Sequence, residues 1–253
     1  MNGADILVIF AAGKSTRFGG YPKAFCSIGK KTNIENTIDK AKAFFDDIYV
    51  VINVETEESG IASRLDAKII SIVTGQGDAD SIRKALNKIK TIRQDAERIF
   101  ACWGDAVFLS NKPFAEMKNN ALKWNTNSPV LVGCSADRKP YAWFDVDNTV
   151  IVHSHFRKQE EMPSEEGIHD QSIFVIKIDS TLEYLSEYRK SLGLDVYDEG
   201  TYEKSRGEMG FLNFFSWLYI NKSSCAANWC YITCNQVKSF NTAEELQALD
   251  LCL

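Results

Sequence analysis

Short apolar runs alternate with segments of helical periodicity over the first half of the chain. Four runs of apolar residues predict strands: Ile6–Ala12, Ile48–Val54, Ile69–Val73 and Ile99–Trp103. Between them, apolar residues recur at helical spacing and predict helices over Ile34–Phe45 and Ser81–Ile92. Strands separated by helix-length segments indicate βαβ crossovers. The pattern therefore predicts an α/β fold with a mainly parallel sheet flanked by helices.

The second half of the chain follows a different pattern. Three neighbouring stretches are strand-like and predict a small β-hairpin excursion at the far edge of the sheet: Val130–Ser135, Tyr141–Asp145 and Thr149–His155. Three later stretches read as helices: Leu182–Leu192, Phe211–Ile220 and Thr242–Leu251. We expect a single domain over residues 1–253, with the last helix closing the fold.

Polar residues stand where the first two helices should begin. Asn33 can cap the first helix, and Asp80 or Ser81 can cap the second. In open α/β sheets, the loops that leave the carboxyl ends of the strands line the ligand crevice. The loops after the first, third and fourth predicted strands should therefore meet at one site.

Charge and composition exclude several classes of function. The net charge of −5 and the isoelectric point near 5.4 disfavour a nucleic-acid-binding surface. The apolar runs are too short or too interrupted to span a bilayer, and the first residues do not resemble a secretory signal. Seven cysteines without a CxxC pair suit reduced thiols. We expect a cytoplasmic protein without a nucleic-acid or membrane partner.

A glycine-rich, cationic loop follows the first strand. The eleven residues of Gly13–Lys23 contain three glycines, two hydroxyl residues and three cations. Glycine allows backbone N–H groups to approach phosphate oxygens, and cations neutralise the charge of phosphoryl groups. The loop matches neither the Walker pattern GxxxxGK[ST] nor the dinucleotide pattern GxGxxG. It therefore predicts a phosphate-binding site of another kind.

The loop and the residues just before it follow a specific order: Ala11-Ala12-Gly13, then Arg17, then Pro22-Lys23. This order resembles the signature AAGxGxRM followed by PK, which is found in Rossmann-like nucleotidyltransferases, including MobA-type, sugar-phosphate and methylerythritol-phosphate enzymes. Ser15 replaces a glycine of that signature. The resemblance implies catalytic roles for Arg17, on the leaving pyrophosphate, and for Lys23, on the α-phosphate and the acceptor phosphate. Lys14, Ser15 and the Ala-Ala-Gly run would bind the nucleotide.

The loop after the third strand resembles the segment that surrounds the nucleobase in this family. Asp80-Ser81-Ile82 favours the cytidylyltransferase form GGxxRxDSV, although its arginine is missing. Gln76 instead fits the QxGTA form of sugar-phosphate enzymes. The resemblance therefore assigns Gln76, Asp80 and Ser81 to nucleotide binding, with cytosine favoured over uracil. Asp80 and Ser81 can also act as helix caps.

Two further segments resemble the metal-binding elements of the family. Gly104-Asp105 corresponds to the family's GD element, and the segment containing Asn241 corresponds to its NTPEDL ending. The resemblance implies that Asp105 and Asn241 hold Mg²⁺ and that Gly104 contacts the nucleotide. Oxygen ligands are those that Mg²⁺ prefers. A turn role for Asp105 and a cap role for Asn241 are the structural alternatives.

The sequence signals for the acceptor-binding residues are less specific than those for the nucleotide-binding loops. By resemblance, Glu208 and Lys238 would bind the acceptor substrate. His153, His155 and His169 could contact it or could be structural. The hairpin region Tyr141–His155 could form a homodimer interface.

Together these features imply a Mg²⁺-dependent nucleotidyltransferase, with residues 1–110 binding the NTP and residues 111–253 binding the acceptor. It would transfer CMP, or else UMP, to a phosphorylated small molecule and so make a precursor of surface or capsular polysaccharide. The alternative is a catalytically inert nucleotide-binding or regulatory protein of the same fold. An NAD-dependent oxidoreductase is disfavoured because the GxGxxG pattern is absent.

Overall fold

The structure is a computed structural model. It describes residues 5–15, 18–124, 126–138, 140–156, 161–162, 164–195, 203, 205, 207–233, 236–240 and 242–250, with only the backbone of Ala243 and Asp250. Within these residues, no helix has the length and apolar character needed to cross a membrane.

A nine-stranded sheet runs through the described part of the chain. Its strands are β1 (Ile6–Phe10), β4 (Asp47–Asn53), β5 (Lys68–Ile72), β6 (Arg98–Trp103), β8 (Val130–Arg138), β9 (Ala142–Asp147), β10 (Val150–Phe156), β11 (Glu166–Lys177) and β12 (Asn228–Tyr231). Their order in the sheet is β5-β4-β1-β6-β11-β8-β12-β10-β9. Two small antiparallel pairs stand beside it: β2 (Ser27–Ile28) with β3 (Lys31–Thr32), and β7 (Val107–Phe108) with β13 (Val237–Lys238).

Helices cover both faces of the sheet. They are α1 (Asn33–Ala41), α2 (Val54–Glu58), α3 (Asp78–Ile92), α4 (Lys112–Lys123), α5 (Ile178–Ser191), α6 (Phe211–Asn221) and α7 (Ala243–Asp250). One hydrophobic cluster joins the sheet to α3, α5 and α6, and a second joins it to α1 and α4. This layered arrangement confirms the predicted α/β class.

Strand β1 is apolar throughout because both of its faces are buried. Ile6 and Val8 enter the cluster under α3, α5 and α6, whereas Leu7 and Ile9 enter the cluster under α1 and α4. Successive side chains of a strand point to opposite faces, so a central strand covered on both sides must be apolar at every position. Burial of such a side chain contributes roughly 1.5–3 kcal/mol.

The sheet is parallel in the first half of the chain and mixed in the second. The neighbours β5, β4, β1 and β6 are parallel. The long strand β11 is antiparallel to both β6 and β8, while β12 is parallel to β8. The hairpin of β9 and β10 comes last in the strand order, as the sequence predicted, but β9 also pairs with the start of β11. The predicted stretch Val130–Ser135 is instead part of β8 and lies inside the sheet, between β11 and β12. The carboxyl ends of β1, β6 and β8 lie at one edge of the sheet, together with the first residues of β11.

The structure corrects both predicted helix caps. Thr32 caps α1 and forms a capping box with Glu35, whereas Asn33 is the first residue inside the helix. Helix α3 begins at Asp78 and is preceded by Gly77, so neither Asp80 nor Ser81 is its N-cap. The Asp80 carboxylate still accepts a hydrogen bond from the Gln76 backbone N–H at 2.9 Å, across the first turn. The helix therefore begins earlier than the sequence pattern indicated.

Candidate active site

The loop after β1 is anchored to the neighbouring strand before it enters solvent. The Ala11 N–H donates to the Val51 carbonyl at 2.8 Å, and the Asn53 side-chain amide donates to the Ala12 carbonyl at 3.3 Å. Ala11 and Ala12 are buried, while Gly13 and Lys14 are exposed. The loop therefore leaves a rigid base at the carboxyl edge of the sheet, where a ligand can approach its glycine backbone.

Ser15 has the backbone conformation that a glycine adopts most easily. Its φ angle is 47°, in the left-handed region. The Ser15 carbonyl accepts from the Phe18 N–H at 2.8 Å, and its hydroxyl accepts from the Lys23 N–H at 3.2 Å. Ser15 therefore forms a turn with a left-handed backbone and links it directly to Lys23. Arg17, the predicted pyrophosphate ligand, lies outside the described residues.

Lys23 lies where three segments of the chain meet. Its Nζ donates to the Phe240 carbonyl at 3.0 Å and lies 3.5 Å from a carboxylate oxygen of Asp105. The lysine side chain is 13% exposed and that of Asp105 is 45% exposed. The glycine loop, the loop after β6 and the C-terminal segment thus converge on one ammonium group. The loops after the first and fourth predicted strands therefore meet, as the sequence predicted.

Gly104 makes the approach between two of these loops possible. Its N–H donates to the Phe10 carbonyl at 2.8 Å. A Cβ atom at this position would lie 2.9 Å from the Ala11 Cβ and 3.0 Å from the Phe10 carbonyl oxygen. Only glycine fits here without displacing backbone, so Gly104 places Asp105 next to the glycine loop.

Gly104→Ala is expected to lower the free energy of unfolding by roughly 1–3 kcal/mol, because overpacking forces the two loops apart. Urea denaturation compares it with Gly13→Ala, whose added Cβ would meet no atom within 4 Å. Equal stability of the two variants would contradict the role given to Gly104.

Asn33 is a positioning residue that the sequence did not identify. It is buried, and its side-chain amide donates to the carbonyls of Gly104 and Ala106, each at 3.0 Å. These two bonds hold the backbone on either side of Asp105. A polar residue at the start of a helix is a sequence signal for a cap, and here its side chain contacts the loop after β6 instead.

The C-terminal segment returns to this edge by pairing with β7. Val237 and Lys238 lie opposite Phe108 and Val107, and the Leu109 N–H donates to the Gln236 carbonyl at 2.9 Å. Lys238, predicted to bind the acceptor, is partly buried in this ladder two residues before Phe240. Asn241, the predicted second metal ligand, lies outside the described residues.

The predicted base-binding residues are engaged with other parts of the protein. The Gln76 side-chain amide contacts the backbone of Glu203 and Gly207. The Asp80 carboxylate pairs with Arg83 at 2.8 Å and with Lys84 at 3.6 Å. The Ser81 hydroxyl donates to the Gly77 carbonyl at 3.1 Å. The loop is therefore close to the segment that carries Glu208, which is exposed.

The three histidines lie on polar stretches of the hairpin and of β11. His155 Nε2 lies 2.8 Å from a carboxylate oxygen of Asp145, and its ring stacks on Trp143 at 5.2 Å. The His153 and His155 rings are in edge contact at 4.6 Å, and His169 Nε2 lies 3.5 Å from Asp137. These contacts form a polar, aromatic surface on the hairpin and the start of β11.

Asp170 is a partly buried carboxylate between this surface and Asp105. Desolvation raises its pKa above the ordinary value, and the charge of Asp105 acts in the same direction. His169 and the Ser172 N–H, which donates at 3.1 Å, oppose these effects. Ser172 has a φ angle of 56° where the pairing of β11 with β8 is interrupted. The irregular strand thus brings a second carboxylate toward Asp105.

The part of the chain that contains the glycine loop and Asp105 matches a known protein family. Residues 7–172 match the model of the MobA-like NTP transferase domain. The chain belongs to this family. No curated protein gives a significant match.

Solved structures share the fold of this MobA-like domain at low sequence identity. The inositol-1-phosphate CTP transferase from T. maritima has 13% identity and a TM-score of 0.66, with 99% of this chain and 98% of that chain covered. The CTP:phosphocholine cytidylyltransferase from Streptococcus pneumoniae has 10% identity and a TM-score of 0.65, with 99% of each covered. HddC from Yersinia pseudotuberculosis, complexed with GMP-PN, has 14% identity and a TM-score of 0.66, with 98% and 99% covered.

The Asp105 carboxylate at this edge of the MobA-like domain is a suitable ligand for Mg²⁺. Asp105 offers a half-exposed carboxylate, and no group of three or more His, Cys, Asp or Glu residues in the described ranges could hold a metal alone. Mg²⁺ is commonly held by one or two carboxylates together with substrate phosphates and water. An ion at Asp105 would take the rest of its oxygen ligands from water and phosphate.

Proposed function

We propose that the chain is a nucleotidyltransferase that moves a nucleoside monophosphate from an NTP to a phosphorylated small molecule and releases pyrophosphate. The observation that carries this proposal is the position of Lys23. Its ammonium group lies between Asp105 and the Phe240 carbonyl, beside the glycine loop. The ammonium can contact a phosphate oxygen directly, and the carboxylate could bind a metal ion that contacts the same phosphate group.

The chemistry asks the protein for positioning and charge rather than for a covalent intermediate. A phosphate oxygen of the acceptor attacks the α-phosphorus, and the bond from that phosphorus to the bridging oxygen of pyrophosphate breaks. Lys23 would neutralise charge on the α-phosphate and the acceptor phosphate, and Arg17 would stabilise the leaving pyrophosphate. Bound Mg²⁺ would supply charge neutralisation and phosphate orientation. Ala11, Ala12, Gly13 and Lys14 would line the triphosphate.

CTP is the favoured donor and UTP the second choice. Asp80-Ser81-Ile82 supports cytosine through its likeness to the cytidylyltransferase segment. Two of the structural neighbours are named as enzymes that use CTP, whereas HddC was solved with GMP-PN. The acceptor would lie on the polar surface of the hairpin and β11, within reach of Glu208. The product would be an activated precursor of surface or capsular polysaccharide, made in the cytoplasm.

The proposal also covers the division of the chain between the two substrates and its oligomeric state. Residues 1–253 would form one domain, with NTP bound by residues 1–110 and acceptor by residues 111–253. A homodimer would use the hairpin region of residues 141–155.

The experiment is a pyrophosphate-release assay with Mg²⁺. CTP, UTP, ATP, GTP and dTTP are each tested against phosphorylated sugars, alcohols and amino-acid derivatives. Release that requires one NTP and one acceptor together supports the transferase. Tight NTP binding without release over the whole panel would favour the alternative, an inert nucleotide-binding protein, and absence of NTP binding would contradict both.

A further inference from the structure

Three hydrogen bonds join the side chain of Gln76 to one distant segment of the chain. Gln76 is 7% exposed. Its Nε2 donates to the carbonyls of Glu203, at 2.6 Å, and Gly207, at 2.5 Å, while its Oε1 accepts from the Glu203 N–H at 3.0 Å. A primary amide has two N–H donors, and both are satisfied here. In this conformation the amide has no donor left to read the edge of a nucleobase.

The backbone around Gln76 is joined to the same segment. The Met209 N–H donates to the Gln76 carbonyl at 2.7 Å, and the Ala79 N–H donates to the Met209 carbonyl at 3.0 Å. A Cβ atom on Gly77 would lie 2.5 Å from that Met209 carbonyl oxygen. The two backbones therefore touch directly, and the amide of Gln76 extends the contact to Glu203 and Gly207.

A further hydrogen bond joins the first turns of α3 and α6. The Asp78 carboxylate, at the start of α3, accepts from the Phe211 N–H at 2.7 Å, at the start of α6. Free N–H groups at the first turn of a helix are satisfied by such acceptors. Burial raises the pKa of the Asp78 carboxyl to about 6, and the charge of Glu208, which lies within this connected stretch, acts in the same direction.

We propose that Gln76 is a positioning residue that fixes the segment carrying Glu208 to the nucleotide-side loop, instead of reading the base. This inference rests on the proposed function, in which the loop of Gln76 borders the NTP and Glu208 binds the acceptor. The segment sets where Glu208 lies, so the amide of Gln76 controls acceptor binding from the nucleotide side. A ligand that orders one of the two connected segments then favours the other.

The main contribution of this amide is local order rather than global stability. Glu203 and Gly207 are exposed, so their backbone groups can bind water if the amide is removed. The core under α3 and α6 consists of other residues, including Ala79, Ile82 and Phe211. Loss of the amide should therefore release the segment while the fold remains intact.

The test replaces Gln76 with methionine, which has a similar size and cannot form these hydrogen bonds, and Gln76 with glutamate, which loses both donors. Gln247→Met, on the exposed face of α7, is the matched control. Gln76→Met loses all three hydrogen bonds, and Gln76→Glu loses the two that Nε2 donates and places a carboxylate oxygen against two carbonyls. Both variants should therefore have an acceptor KM at least about tenfold higher, with NTP affinity within about threefold of the wild type. The ratio of CTP to UTP turnover should not change.

Hydrogen exchange separates this inference from the proposed function, because it requires no turnover. Amides of Glu203 and of residues 207–211 should exchange at least about tenfold faster in Gln76→Met than in Gln247→Met. Unchanged exchange would overturn the inference whatever the activity. A changed base preference or weakened NTP binding, with normal acceptor KM, would overturn it in favour of base recognition. Failure of the wild-type protein to transfer any NMP would contradict the proposed function alone.

Discussion

Lys23→Ala is expected to reduce kcat/KM by roughly 100- to 1,000-fold, the loss typical when one preorganised charge stabiliser is removed from a transition state. The Lys23 ammonium is mostly buried and has Asp105 and the Phe240 carbonyl on either side, so its position is fixed before the substrate arrives. Because it neutralises charge that develops during transfer, kcat should fall more than NTP affinity. Steady-state kinetics and calorimetric NTP binding measure the two effects separately.

The same substitution also removes a contact with the C-terminal segment, so the control must separate chemistry from folding. Lys90→Ala removes an exposed lysine that pairs with Asp179 on the helical layer. Lys23→Arg keeps the charge and can still donate to the Phe240 carbonyl. If Lys23→Arg is as thermally stable as the wild type but still has a low kcat, the reaction requires the compact ammonium group of lysine at this position. Normal kcat/KM in a folded Lys23→Ala protein would refute the role.

Most of the first half of the fold could be predicted from the sequence because its signals are local. Every residue of β1 is apolar, and the two faces of that strand enter different hydrophobic clusters. The glycine loop follows it within a few residues, so its position at the strand end was also predictable. Asp105 follows β6 in the same way. Strand ends in a parallel sheet meet at one edge, so the contact of Lys23 with Asp105 follows from topology.

The second half was harder to predict because its order depends on distant partners. Strand β11 carries polar residues at its start and apolar ones from Ile173, so no single period identifies its twelve residues. It inserts between β6 and β8 in antiparallel orientation. The prediction of a mainly parallel sheet holds for the four strands β5, β4, β1 and β6 and not for this part.

The site residues show the same division between local and distant information. Ser15 could be identified as a departure from the family glycine, but only the structure shows its left-handed φ angle and its bond to the Lys23 N–H. Asn33 and Gln76 are held by partners about 70 and 130 positions away in sequence. A pattern within one loop cannot identify such partners. The sequence therefore identified which loops matter better than it identified what each polar side chain contacts.

Asp105→Asn is expected to lower kcat by roughly 100- to 1,000-fold and to raise the Mg²⁺ concentration needed for half-maximal rate. Asparagine keeps the size of the side chain and removes the charge that attracts the ion, while Asn33 continues to hold the backbone on both sides. Asp39→Asn, in an exposed pair on α1, is the control. Mn²⁺ binding, followed by electron paramagnetic resonance with a non-hydrolysable NTP analogue, gives a readout independent of turnover. If Mn²⁺ binds Asp105→Asn as tightly as the control, Asp105 is not a metal ligand, and the loss of activity must then come from its contact with Lys23.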